Sequence, residues 1–297
     1  MKILLAILAP LLWGTTYAVL TTFFKGWSPF ALAVWRALPA GVILLALRPT
    51  LPTKQELPWL LLIGLLNIAL FFGLLFAAAL YLPSTLVGVG MIALPVIGIV
   101  VMAAAHKVHP SKVQFISSAI LIVAASYLFL TSSTSISLIS VILLIGSMTA
   151  LIAGSIVTKH VMKTINWYKL LTWKLLFGGV ILLPIAYWDV NLRGINYVSA
   201  IPSSLHQWEA MAWLVIGLTC IAYGAYVFTI PLITTTELSF FGTINPILAM
   251  VLGATVMGEQ FSTTQITVMM CMIVSNLAAQ TYESLKKRQP EAVIIEY

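Results

Sequence analysis

The chain is poor in charge. Only 8% of its 297 residues are Asp, Glu, Lys or Arg, with eight acids against fifteen bases. A water-soluble chain of this length needs far more polar surface to cover a core, so a soluble globular fold is excluded. Cysteine is nearly absent. Cys220 and Cys271 each lie in an apolar stretch, which leaves no disulfide framework and no cysteine-based metal cluster. No G-x-x-x-x-G-K-[ST] occurs, so no P-loop binds ATP, and any driving force must come from a gradient or an exchange. No carboxylate falls at the middle of an apolar stretch. His106, His109, His160 and His206 all fall in loops or at helix ends. Catalysis by acid and base or by metal has no side chains at membrane depth, so no enzyme, no metal and no cofactor is expected.

Hydrocarbon takes the place of charge: 61% of the residues are hydrophobic and the mean hydropathy is +1.07. A spanning helix needs about 20 mostly apolar residues. Ten stretches qualify, at 3–24, 29–48, 57–80, 84–105, 111–131, 136–158, 167–187, 209–230, 236–257 and 263–282. Loop chemistry separates them: Gly26-Trp27-Ser28-Pro29, Pro49-Thr50-Leu51-Pro52, His109-Pro110-Ser111 and the polar run 131–135. The first stretch lacks a clean cleavage site and is interrupted by Trp13 to Tyr17, so it reads as a retained span and not as a signal peptide.

The net charge of +7 reads as anchoring of cytoplasmic loops; nucleic acid is not an expected partner. With both termini in the cytoplasm, the inner loops and ends hold Lys2, Arg48, Lys54, Lys107, Lys112, Lys159, Lys163, Lys169, Lys286, Lys287 and Arg288. The outer loops hold only Lys25 and Arg193. That asymmetry fixes a bacterial-type inner (plasma) membrane orientation. Five spans per half is an odd number, so the second half enters upside down.

The halves also share residues. WRALPAGVILL (Trp35 to Leu45) returns as WKLLFGGVILL (Trp173 to Leu183), an offset of 138. Later spans align at an offset of 151: Gly73 with Gly224, Pro95 with Pro246, Gln114 with Gln265. The added length falls in the outer loop 189–207, where a duplication tolerates it. The fold expected is all-α and integral to the membrane: ten transmembrane helices in two inverted five-helix repeats, 1–134 and 135–297, with a short basic cytoplasmic tail.

LLWGTTYAV (Leu11 to Val19), Trp35-Arg36, Asn245-Pro246, Ala249 to Phe261 with its ending Met257-Gly258-Glu259, and Gln265 resemble the EamA-type branch of the drug/metabolite transporter superfamily. The resemblance covers almost the whole chain. Its motifs are loose one by one, and their order and spacing make the match specific. It implies a ten-helix inverted-repeat carrier, a central cavity lined mainly by helices one, three, four, six, eight and nine, and export of amino acids and other small metabolites. The first half departs from the pattern: where the family often repeats Gly-Glu it reads His106-Lys107-Val108, so a mechanism with one acid in each half lacks its first acid.

Single residues carry the site expectations. Arg36 and Lys174 each lie about 10 Å inside a span. Two readings stand for them: snorkelling to lipid phosphates, or a counter-charge for substrate carboxylates or a gating contact. Trp35 and Trp173 read equally well as packing residues. Pro95 and Pro246, with Met91 beside the first, break the helix ladder and free a carbonyl that a cavity can satisfy; a packing kink is the plainer alternative. Asn245 adds an amide that suits a zwitterionic or sugar-like ligand, while Asn67 reads as a bond to a neighbouring helix. Trp13, Tyr17, Tyr223 and Tyr226 place rings with polar handles in spans one and eight, lining either a cavity or a helix contact. Gly146, Ala150 and Gly154 read as close helix packing. Glu237 is the candidate coupling acid.

The function expected is a secondary carrier moving small polar metabolites by alternating access, foremost an exporter of amino acids or their derivatives. The rivals are uptake or exchange of an anionic metabolite on Arg36 and Lys174, and, from another class, a membrane enzyme or a non-transporting receptor. The partners expected are a small-molecule substrate and the lipid bilayer, with the chain a monomer or homodimer.

Overall fold

The computed structural model describes residues 2–79, 81–82, 84–107, 110–131, 137–192, 201–229, 241–242 and 244–288. These form helices and connecting loops, with no strand among them. In chain order the helices are α1 (Ile3–Phe23), α2 (Pro29–Leu47), α3 (Leu57–Ala79), α4 (84–106), α5 (Lys112–Leu130), α6 (Leu138–Val161), α7 (Trp167–Leu192), α8 (Leu205–Thr229), α9 (Ile244–Thr255) and α10 (Thr263–Arg288). Seven of them, α1, α2, α3, α5, α6, α7 and α8, are long and apolar enough to cross a membrane. The other three fall short of that combination among the described residues. The expected ninth span opens at 236, and 230–240 lies outside the described residues, as does Glu237.

Local sequence sets the helix starts. The Ser28 hydroxyl accepts from the Ala31 amide at 3.2 Å, and Pro29 fills the first turn where a missing N–H costs nothing. A reciprocal capping box opens α5: the Gln114 amide donates to Ser111 Oγ at 3.2 Å and the Ser111 amide to Gln114 Oε1 at 2.9 Å. The same box recurs at α10, on Ser262 and Gln265, at the same two distances.

Helix pairings also recur. α2 crosses α7 at the centre, where a Cβ on Gly41 would meet Leu176 Cγ at 2.8 Å and one on Gly179 would meet Leu38 Cγ at 2.5 Å. Gly41 and Gly179 are 138 apart, as are Leu38 and Leu176, so the contact reads the same from either helix. α3 packs on α6 and α7, while α8 packs on α1 and α2. α4 packs on α6 and α9, and α9 on α4 and α1; α5 pairs with α10. Exchanging the halves returns the same set. α3 and α8 each widen into π-helix, at Leu65–Leu70 and Trp213–Ile221. Two equivalent positions adopt left-handed backbone: Lys107 (φ 54°) after α4 and Gly258 (φ 68°) after α9.

The distribution of side chains is that of a protein dissolved in lipid. Large apolar residues of α5 such as Ile122, Val123 and Leu130 face outward, while Arg36, Lys174, Thr172, Thr219, Ser140 and Ser147 are buried. The Gly146-Ala150-Gly154 face meets α3: a Cβ on Gly146 would touch Leu74 at 3.3 Å, and one on Gly154 would overlap Asn67. Asn67 Nδ2 reaches Thr158 Oγ1 of α6 at 3.5 Å, a long hydrogen bond between neighbouring helices.

Candidate functional site

The two intramembrane cations point inward. Arg36 is 3% exposed and Lys174 4%, so neither side chain reaches toward a headgroup region. The guanidinium carbon of Arg36 stands 4.4 Å from the centroid of Phe72 and 5.9 Å from that of Phe76. The ammonium of Lys174 stands 4.7 Å from the centroid of Tyr223. Phe72 and Tyr223 are themselves 151 apart, so each half places one cation on one ring at the same position. The two rings lie 6.3 Å apart, edge to face. Cations are attracted to such faces, more strongly when water is excluded.

Arg36 has a second anchor. Its Nε donates to Thr219 Oγ1 at 3.0 Å, and that hydroxyl donates to the Leu214 carbonyl at 2.8 Å within the π-helical stretch of α8. The wider turn of a π-helix supplies the register for this hydroxyl–carbonyl bond five residues back. Among the described residues, no carboxylate pairs with Arg36 or Lys174; the ion pairs found are Lys169 with Glu56 and, at the surface, His206 with Glu209.

Aromatic residues close the cluster. Trp13 packs on Tyr223 at 5.0 Å and Tyr226 at 5.3 Å between centroids, and its indole N–H donates to the Leu218 carbonyl at 2.9 Å. Tyr17 is buried on the same helix, near Gly88 of α4. Trp13, Tyr17, Arg36, Lys174, Tyr223 and Tyr226 therefore gather in one interior region built by α1, α2, α7 and α8, with α3 adding Phe72. Sequence reasoning missed Phe72, Phe76 and Thr219. The offset of 151 applied to Tyr223 points to Phe72, but nothing in the sequence marks Thr219.

The remaining candidates stand apart from these contacts. Met91 begins a short 3-10 turn, Met91–Ala93, and Pro95 follows it in the first turn of the next helical segment. The carbonyl that Pro95 cannot satisfy is that of Met91, and the Leu94 amide satisfies it; the expected opening of that carbonyl to a cavity is not what this turn does. Pro246 is buried in the first described turn of α9. The Asn245 carbonyl approaches Gly14, the neighbour of Trp13: a Cβ on Gly14 would lie 3.0 Å from it. The Asn245 side-chain Oδ1 is buried with no hydrogen-bond partner, as is Glu259 Oε2.

The repeated tryptophans sit at the rims. The Trp173 indole donates to the Thr50 carbonyl at 2.6 Å, and Trp35 meets Trp208 edge to face at 5.8 Å. Beside Trp173, Lys169 pairs with Glu56 at 3.0 Å. Burial alone would push the Glu56 carboxyl up, but the Thr53 amide and Lys169 together hold it below its ordinary value. Among the described residues no three His, Cys, Asp or Glu side chains come together as a metal site would require. A shallow groove of about 400 Å³ on Phe30, Pro184, Ile185, Trp188, Asp189 and Leu192 shares no residue with the cluster.

Buried cations on aromatic rings, held between two related sets of apolar helices, define the class: a multi-pass helical membrane protein with a polar interior. Comparison with known proteins places it further. The EamA-like transporter family matches residues 1–131 and 138–278, and the chain belongs to that family, within the drug/metabolite transporter superfamily. It is 28% identical over 298 residues to Protein PecM of Dickeya dadantii (strain 3937), covering 96% of this chain and 94% of that one. It is 27% identical over 263 residues to the uncharacterized inner membrane transporter YedA of Escherichia coli (strain K12), covering 85% and 81%. A solved protein structure superposes with a TM-score of 0.62 at 15% identity over 94% of this chain and 98% of the other, a likeness of fold alone.

Proposed function

We propose that this transporter is an inner-membrane secondary carrier that moves small carboxylate-bearing metabolites outward by alternating access, with amino-acid derivatives as the leading class. One observation carries the reading: two buried basic side chains, on equivalent rings of the two halves, without a carboxylate partner among the described residues. A cation left in the interior without a counter-ion is costly, and a substrate carboxylate supplies what the chain does not. The buried, unpartnered Oδ1 of Asn245 offers an acceptor for a substrate N–H. Among the described residues no acid in the cluster awaits an ammonium group, which favours derivatives with an uncharged nitrogen over free amino acids.

The carrier reading takes ten crossings in two inverted halves. Support for it comes from the recurring helix pairings, the paired capping boxes and the eleven-to-two distribution of basic residues between inner and outer segments. On this reading 1–134 and 135–297 are the repeats, both termini are cytoplasmic, and Glu237 has no assigned part in binding. Uptake or exchange of an organic anion would use the same cations, and the direction of net flux separates it from export.

The test is metabolite profiling of cells with and without the protein, followed by flux of the compounds that change into and out of proteoliposomes. Carboxylates should accumulate in cells lacking the protein and leave proteoliposomes that contain it. Accumulation confined to amines or neutral compounds would overturn the reading.

A further inference from the structure

The duplication gives Arg36 and Lys174 the same ring and different neighbours. Arg36 has Thr219 as hydrogen-bond acceptor. The residue equivalent to Thr219 at the offset of 151 is Ile68, which is fully buried on the face of α3 turned to α7: a Cβ on Gly178, one turn past Lys174, would overlap its side chain. Where the position that bonds Arg36 carries a hydroxyl, its equivalent in the other half carries methyl groups. The Nζ of Lys174 lies over Tyr223 and makes no hydrogen bond among the described residues.

The two side chains also differ in kind. A guanidinium stays charged in any protein setting, whereas a lysine can exist as a neutral amine with a free lone pair. An ammonium brings three donors, and leaving them unmet in a dry interior is unfavourable. Among the described residues, the titratable side chains of the cluster around Lys174 are Tyr223, whose ring it covers, and Tyr226 from α8, Arg36 from α2 and Tyr17 from α1; Cys220 of α8 turns to the Ala40 carbonyl, and α3 has none along Leu57–Ala79. There is neither a carboxylate nor an imidazole among them.

We propose that Lys174 couples transport to protons: it rests as a neutral amine over Tyr223, gains one proton when a substrate carboxylate arrives, and releases both on the far side. This rests on the carboxylate reading above. The step balances. The Nζ lone pair forms one N–H bond with a proton from the water on the side to which the site is open, and that bond breaks to water on the other side. Arg36 keeps its charge throughout. A monoanion and its proton therefore add no net charge to the carrier, and the direction of net flux follows the combined anion and proton gradients. The missing acid of the first half, where Val108 stands in place of a glutamate, is then no obstacle to coupling.

The experiment uses the full-length chain in lipid nanodiscs, in weak buffer with a pH indicator. The probe is N-acetyl-L-leucine, which has a carboxylate, an uncharged N–H and an apolar body; L-leucinamide is the control without a carboxylate. Binding is measured in parallel by calorimetry. Near about pH 9, below the ordinary lysine value of about 10.4, wild type should take up most of one proton per molecule bound. Lys174→Arg and Lys174→Gln, with charge fixed on or off, should take up none. Ile68→Thr, which restores the hydroxyl that Arg36 enjoys, should hold the ammonium and move half-uptake to higher pH. Binding without proton uptake from about pH 6 to about pH 10, or uptake unchanged in both Lys174 variants, would overturn the proposal. Absence of binding by N-acetyl-L-leucine and by the N-acetyl derivatives of phenylalanine and glutamate would instead bring down the carboxylate reading, and the coupling with it.

Discussion

Arg36 and Lys174 occupy equivalent places in the two halves, on equivalent rings, at 4.4 and 4.7 Å from their centroids. One is tied by a hydrogen bond to the opposite half; the other has its ring and, among the described residues, no hydrogen bond. The contrast shows how a duplicated fold divides labour. The pairing of basic side chain and ring survives in both copies, while one equivalent position, threonine in one half and isoleucine in the other, gives Arg36 a hydroxyl to bond. The same contrast recurs in the backbone, where a left-handed turn falls on Gly258 in one half and on Lys107 in the other. It recurs again in packing: a Cβ on Gly73 would meet Phe30 at 3.1 Å, while one on its counterpart Gly224 meets nothing within 4 Å.

The sharpest break of this comparison is Arg36→Gln. It removes the permanent charge and leaves Thr219 without its donor. Hydrogen bonds of charged groups are worth about 1.5–3 kcal/mol, so carboxylate flux should fall roughly 10- to 100-fold in proteoliposomes at equal protein content. Unchanged flux would assign Arg36 to helix anchoring.

Much of this was legible beforehand, and the limits are physical. Each of the ten apolar stretches meets a helix, and seven of those helices are long and apolar enough to cross a membrane, because membrane depth and helical rise fix the length of apolar sequence needed. The repeat exposed Arg36 and Lys174, and a charge in hydrocarbon draws attention to itself. Which way those long side chains turn was not legible, since snorkelling and burial use the same sequence. Thr219 was invisible because its position depends on the π-helical register of α8, and a local widening leaves no periodic mark. Pro95 promised a free carbonyl, but the chain closed a tighter turn at Met91 instead.

Packing gives the next effect. A Cβ on Gly178 would lie 2.6 Å from the Gly64 carbonyl oxygen, where α3 and α7 touch. Gly178→Val should lower stability in detergent by about 1–3 kcal/mol, read as thermal unfolding. Gly224→Ala, into open space, should be neutral or stabilising by up to about 1 kcal/mol. Equal losses at both positions would contradict the tight packing assigned to the α3–α7 contact.

The backbone contrast predicts opposite signs for two exchanges. Lys107→Gly removes a left-handed lysine and should gain about 0.5–1 kcal/mol; Gly258→Ala should lose about 1 kcal/mol. Thermal unfolding of both variants checks the pair, and a loss on Lys107→Gly would mean that its side chain contributes more than its backbone costs.

Glu56 gives the smallest effect. Its folded carboxyl sits below the ordinary value of 4.5, so its stabilisation is complete above that pH and is lost as pH falls through the folded value. Water screens the pair with Lys169, so the loss on acidification should stay under about 1 kcal/mol and vanish in Glu56→Gln. The difference in unfolding temperature between the two proteins, followed from neutral to acid pH, measures it.

On the proposed carrier reading the two halves are inserted in opposite senses, which brings Arg36 and Lys174 together, and topology tests this most directly. Reporter fusions after Thr131 and after Asp189 should read outside, and fusions after Lys163 and at the C-terminus inside. An inside signal after Thr131 would place both halves in the same sense and contradict the shared site.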